Sequence, residues 1–250
     1  MCRTRIYLSV CLSMLLIGLV SSASAQAAQG TKSKKDSTAV NGYTGVDSSF
    51  YYAGDVWSVA HYEKGHMHGS YQLWYENGEK WFEGVFKEGK PYHVLMEYYQ
   101  DGGRKMEIMR NGDVEKTVAW YENGNTSYEM EFKSGLPQNK HVYWYANGNV
   151  KLESNFAEGL RDGIWSYYTS DGVLEKRENY EKDKLVLQEN YHGGKKHGAY
   201  QAWYSNGYPK VSGMYVADAK HGKWLYYNPV GKLIREEEYM NGEQINRKSY

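Results

Sequence analysis

Past residue 25 the chain has no cysteine; its only two are Cys2 and Cys11. That excludes disulfides, a thiol nucleophile and a thiolate metal site from everything downstream. Proline is scarce, at 4 residues, and neither sign of charge dominates, with 30 basic residues against 30 acidic. No global field therefore favours nucleic acid or an anionic surface. Long apolar runs are missing after Val20, the hydrophobic fraction is 41% and mean hydropathy is −0.78, so no thick core is expected. No segment past that point holds a 3.6-residue apolar period, which excludes long amphipathic helices. Phosphate-binding, dinucleotide, zinc-protease, nucleophile-elbow and EF-hand patterns are absent as well.

What is present is aromatic and turn-forming: 26 Tyr, 8 Trp and 27 Gly. Such a composition is poor material for disorder. The first 25 residues read as a secretory signal: Arg3 and Arg5, a mostly apolar Ile6–Val20, then Ala23-Ser24-Ala25 before Gln26. Ser9, Ser13 and Gly18 interrupt the apolar run, which is short for a membrane span of about 20 residues. Cleavage after Ala25 leaves 28 basic and 30 acidic residues. The chain is therefore expected to be exported, to the periplasm, the cell envelope or the exterior. Residues 26–47, small, polar and without apolar period, read as a flexible linker.

From residue 48 onward the chain repeats itself. Turn glycines fall at 54, 78, 102, 124, 148, 172, 207 and 231, with steps of 24 except for one of 22 and one of 35. A second series of turn residues interleaves at the same period: Gly65, Gly89, Gly112, Gly135, Gly159, Asp183, Gly194, Asp218 and Gly242. Aromatics keep register with both series, Trp74 and Phe86 being one example. A period this long, held by turns and rings together, marks a repeat architecture.

Two turns in 24 residues leave two strands of about seven to nine residues each. Asn77-Gly78, Asn123-Gly124, Asn147-Gly148 and Asn206-Gly207 suit a type I′ hairpin turn, which needs two positive-φ residues. The expected fold is all-β: an elongated, single-layer antiparallel meander, or solenoid, of repeated hairpins, with about sixteen strands. One hairpin cannot bury its own apolar face, so neighbouring repeats must do it for each other. Trp74 and Tyr75, being adjacent, should place one aromatic row on each face. The 35-residue step is one period plus about one strand and turn. An odd extra strand is expected within 181–197, moving the later Asn-Gly turns to the opposite edge; the alternative is an unpaired bulge there.

"GSYQLWYENGEKWFEGVFKEGKPYH", "WYANGNVKLESNFAEGLRDGIW" and "GAYQAWYSNGYPKVSGMYVADAKHGKW" resemble bacterial MORN-repeat variants. The resemblance spans roughly Ser48 to Gly242. It implies a hairpin-repeat fold and roles in scaffolding, protein contact or membrane association. Members of that family are also labelled antitoxins of toxin–antitoxin systems.

Candidate chemistry is sparse. His66 and His68 are two apart, and His68, His197 and His221 occupy one repeat slot, where Asp162 also stands. Equivalent slots one repeat apart do not converge on one ion. Glu76 and Glu122 share a slot with Gln100, Ala146 and Ser205, as a solvated position would, and Glu236–Glu238 reads as a soluble charge run. No catalytic residue, metal ligand or cofactor is assigned. The candidate binding residues are the aromatic ladder Trp74, Tyr98, Trp120, Trp144, Trp203 and Tyr227, whose rings can stack on a ligand or a partner. The expected function is a non-catalytic, exported protein-interaction or scaffold module, antitoxin-like immunity included. The alternative is an envelope module binding glycan or a membrane surface. Nucleic acid is not an expected partner. Residues that break the repeat, Pro91 and His93 among them, stand apart from the ladder.

Overall fold

The computed structural model describes residues 31–32 and 42–250. The expected signal and most of the linker lie outside the described residues. Within the linker, Thr31–Lys32 form a two-residue strand β1, and β2 opens at Gly45. Among the described residues every regular element is a strand.

The described residues divide into two compact units, those up to 125 with 132–136, and 126–131 with 137–250. The first holds β1, β2 (Gly45–Tyr51), β3 (Val56–Glu63), β4 (His66–Trp74), β5 (Lys80–Lys87), β6 (Lys90–Tyr98), β7 (Arg104–Asn111) and β8 (Val114–Trp120). Each strand pairs antiparallel with the next in sequence. The second unit holds most of β9 (Thr126–Lys133) and of β10 (Leu136–Trp144), then β11 (Val150–Ala157), β12 (Leu160–Arg161), β13 (Gly163–Tyr168) and β14 (Leu174–Glu181). It continues through β15 (Lys184–His192), β16 (Lys195–Trp203), β17 (Pro209–Val216), β18 (Ala219–Tyr227), β19 (Leu233–Met240) and β20 (Glu243–Ser249). It too is a meander, in which β11 pairs with both the short β12 and β13.

The turn chemistry differs from the sequence expectation. Type I′ geometry, with positive φ at both central residues, sits at the return turns: Lys64-Gly65, Glu88-Gly89, Glu158-Gly159 and Asn241-Gly242. At the Asn-Gly turns only the glycine is left-handed, Gly78 at φ +84° for example. There Gly78 N–H donates to the Tyr75 carbonyl (3.0 Å) and Tyr75 N–H to the Glu79 carbonyl (2.8 Å). Asparagine is used for its side chain instead. Asn77 Oδ1 accepts the Glu79 N–H (3.1 Å) while Nδ2 donates to the Gln100 carbonyl one turn along (2.8 Å). Where aspartate replaces the second return-turn glycine, the carboxylate compensates. Asp183, at φ +68°, accepts the Arg161 N–H (2.9 Å) and donates its own N–H to the Arg161 carbonyl (2.8 Å). Such charge-assisted bonding offsets the roughly 1–2 kcal/mol that a left-handed residue costs.

One face of the first unit is buried. Ala60, Tyr71, Leu73, Phe82, Phe86, Leu95 and Ile108 form its core, with Ile108 only 1% exposed. Neighbouring side chains close over the backbone where a strand carries glycine. A Cβ on Gly84 would lie 2.5 Å from Leu95 Cδ2, and one on Gly213 would lie 2.3 Å from the Trp224 ring. A single layer thus buries apolar area by laying rings across the adjacent strand.

β15 changes the second unit. It pairs with β14 on one side and β16 on the other as a full-length strand. Lys184, at its start, donates to the carbonyl of Ser205 in the later Asn-Gly turn (2.8 Å). Asn206-Gly207 therefore lies at the edge of the Lys182-Asp183 turn, opposite that of Asn147-Gly148. The faces exchange as well. Glu153, Ser166, Arg177, Glu189 and Tyr200 are successive opposed partners and share one face. Phe156, Trp165 and Tyr180, the aromatic stack before β15, occupy the other. After β15 the stack Tyr200–Trp224–Tyr215 stands on the Glu189 face. This exchange is forced. The only proper rotation that swaps the edges while keeping the direction of travel across the sheet also turns the sheet over, and a chiral chain has no other option.

Candidate functional site

All six ladder aromatics are half-buried. Trp74, Tyr98 and Trp120 lie on the face of the first unit away from its core, each next in strand to a core-facing residue. In the second unit Trp144 lies on one face, whereas Trp203 and Tyr227 lie beyond β15 on the other. The structure does not gather the second-unit ladder on one surface. The companion tyrosines do not form a row on the opposite face; they clamp the turn edge. Tyr51, Tyr75 and Tyr99 donate to the carbonyls of Trp74, Tyr98 and Trp120 (2.7, 2.8 and 2.7 Å). Tyr145 and Tyr204 donate likewise to Tyr168 and Tyr227, both at 2.8 Å. Tyr98 itself donates to Glu83 Oε1 (2.5 Å), whose other oxygen takes Lys80 Nζ (2.7 Å). Those two bonds hold the Glu83 carboxyl below the usual range, while burial and Glu83 push the Tyr98 hydroxyl up to about 12.

A buried acidic motif escaped the sequence reading. Glu178, Glu189 and Glu237 are 7%, 6% and 6% exposed. Each takes the hydroxyl of a tyrosine two residues on, Tyr180 (3.0 Å), Tyr191 (2.9 Å) and Tyr239 (2.9 Å), from the same strand face. Cations complete the sites: Lys176 on Glu178 (3.0 Å), Lys196 on Glu189 (2.6 Å) and Arg235 on Glu237 (3.1 Å). Glu237 is therefore not part of a solvated charge run. The legible signal was Glu-x-Tyr, at 178–180, 189–191 and 237–239, in a slot that elsewhere carries Glu-free pairs such as Gly84 with Phe86.

The Glu178 site favours the ionised, ion-paired carboxylate. Burial pushes the Glu178 carboxyl up, but hydrogen bonds from Lys176, Tyr167 and Tyr180 outweigh it and hold the group below its ordinary range. A folded-state pKa below the unfolded one stabilises above the unfolded value, and that contribution is lost as pH falls through the folded one. Glu178→Gln is thus expected to cost about 1–3 kcal/mol at pH 7. It should also flatten the decline in stability below about pH 4.5. Urea midpoints of both proteins at neutral and acid pH check this.

Among the described residues no group of three His, Cys, Asp or Glu side chains is placed to hold a metal ion. His68 instead faces Glu63 (3.4 Å).

One exposed apolar surface flanks a left-handed residue that is not glycine. On the non-core face of the first unit Val85 stands opposite Tyr92, and Val94 opposite Met109. These four are 45%, 43%, 39% and 37% exposed. Between Tyr92 and Val94, His93 adopts φ +64°, in the slot that Gly69, Gly163, Gly198 and Gly222 fill elsewhere and that Asn139, also left-handed at φ +61°, fills in β10. A left-handed histidine beside exposed apolar side chains is strain placed at a surface. His93→Gly is expected to stabilise the first unit by about 1 kcal/mol, read as a higher urea midpoint.

Comparison with known proteins bears on the repeat. A family model described as MORN repeat variant matches residues 67–88, 161–182 and 220–241, so three of the hairpins are similar to that repeat. Each match ends on the first central residue of a return turn: Glu88, Lys182 or Asn241. No curated protein matches the chain. Among solved structures, the crystal structure of TcdB2-TccC3 is similar over 81% of this chain and 16% of that one, at 9% identity and a TM-score of 0.24. TcdB2-TccC3-TEV follows, at 9% identity over 78% and 14%, with a TM-score of 0.23. The chain thus spans about a sixth or less of the length of those proteins.

Proposed function

We propose that this chain, three of whose hairpins are similar to MORN repeat variants, is an exported, non-catalytic scaffold that docks a protein partner on the Val85–Tyr92–Val94–Met109 face. The observation that carries the reading is the coincidence of three features at one place: departure from the repeat, a strained His93, and adjacent exposed apolar side chains. Contiguous apolar surface of this kind marks contact sites. MORN repeats are in general protein- or membrane-interaction modules, which suits the reading. The ladder supports a structural part instead. Its strand carbonyls are clamped by tyrosines, and aromatic rings elsewhere are capped by the chain's own cations. Lys220 Nζ, for example, lies 4.4 Å from the Trp224 ring centre and 4.7 Å from that of Tyr239.

Crosslinking-coupled capture from native cell envelopes tests the proposal. Proteins should be recovered with the wild type and lost with Val85→Ser/Val94→Ser. An identical set from both would contradict it. Export is tested separately: the extracytoplasmic form should begin at Gln26, and a full-length cytoplasmic form would contradict export.

A further inference from the structure

Resting on that reading of the first unit's non-core face, we infer that the segment docking there is acidic and amphipathic, with apolar side chains flanked by Asp or Glu. The charge pattern at the face carries this. Lys87 and Lys90 stand directly opposite one another across the Glu88-Gly89 turn, one step beyond the Val85–Tyr92 pair and on the same face. Both are exposed, and Lys87 Nζ lies 5.5 Å from the Tyr92 ring centre. Like charges directly opposed on a strand pair are destabilising.

The fold does not require that cost. The same slot beside other return turns holds Glu63 with His66, Asn111 with Val114, Ala157 with Leu160, Glu181 with Lys184, His192 with Lys195, Val216 with Ala219 and Met240 with Glu243. None of these opposes two lysines. Of the carboxylates nearby, Glu83 is held by Lys80 and Tyr98, Glu107 is half-buried opposite Met96, and the exposed Glu88 sits in the turn itself, one carboxylate against two lysines. Apolar side chains beside a lysine pair select apolar side chains beside carboxylates. An anion set between Lys87 and Lys90 would relieve their repulsion, and like-charge partners would be rejected.

A displayed library of random peptides of about twelve residues, selected on the mature chain, tests this. Enriched peptides should combine Asp or Glu with Leu, Ile, Phe or Trp. Their affinity should fall about tenfold with Lys87→Glu/Lys90→Glu, about tenfold with Val85→Ser/Val94→Ser, and steadily with added salt. Circular dichroism and the urea midpoint of each variant establish that it is folded. Enrichment of neutral or basic peptides, or affinity unmoved by the lysine changes, overturns the acidic preference and leaves the contact face standing. Affinity unmoved by Val85→Ser/Val94→Ser, or no enrichment over an unrelated protein, overturns both. Pelleting with phosphatidylglycerol vesicles, lost on the same substitutions, would assign the face to lipid and overturn the inference as well.

Discussion

Trp224→Ala is expected to lower stability by about 3–5 kcal/mol, the range for removing a large buried ring. Trp224 is 2% exposed, the largest of the fully buried side chains. Its ring meets Tyr215 at 5.0 Å, Tyr200 at 5.3 Å and Tyr239 at 6.4 Å between centroids, with Lys220 over its face. It also fills the notch above Gly213, so truncation opens a void that no neighbouring backbone can close. In a meander each strand is supported mainly by its neighbours, so the damage should stay local. Amide hydrogen exchange should accelerate across β16–β20 while β10–β13 keep their protection. Uniform acceleration across the second unit would mean that it unfolds as one block.

The second large effect concerns β15. Deleting Lys184–Gly194 joins Asp183 to Lys195, and the resulting Glu-Lys-Asp-Lys-Lys-His-Gly-Ala-Tyr matches Glu63-Lys64-Gly65-His66-Met67-His68-Gly69-Ser70-Tyr71 slot for slot. The deletion should therefore fold, with β16 paired directly to β14 and turned over. In that register residue 177 opposes residue 201, as Val59 opposes Gln72. In the intact chain Arg177 opposes Glu189, while Gln201 opposes Gln188 on the other face. Two strand spacings, about 9.6 Å, also separate them, beyond the roughly 7 Å that a disulfide tolerates. With no cysteine past residue 25, an Arg177→Cys/Gln201→Cys pair reports without background. It should oxidise quickly in the deletion and not in the intact chain. Oxidation in the intact chain would contradict the inverted topology.

The period, the strands and the odd strand were legible because they are properties of spacing. Backbone pairing obeys chain length, and a 35-residue step between turns leaves room for one strand more. The exchange of faces was implicit in that same step but needed the chirality argument to be seen. Turn type was misjudged because Asn-Gly satisfies two different turns. Tertiary context decided between them, since Asn77 Nδ2 has the Gln100 carbonyl to reach. Glu237 was read as solvated because a run of three acids hides the one that faces inward; two-residue alternation separates Glu237 from Glu236 and Glu238. The exposed Val85–Met109 face was signalled only by its neighbours Pro91 and His93. Exposure depends on what the opposite strand supplies, and one strand's pattern does not contain that.

The central claim is that the departures from the repeat, and not the aromatic ladder, carry the contact function. Its most direct test is quantitative crosslinked capture from native envelopes with three folded proteins side by side: wild type, Val85→Ser/Val94→Ser, and Trp203→Leu/Tyr227→Leu. The account predicts that partner recovery falls about tenfold or more with the first variant and stays near wild type with the second. Recovery that survives the first variant and collapses with the second would contradict it and return the function to the ladder.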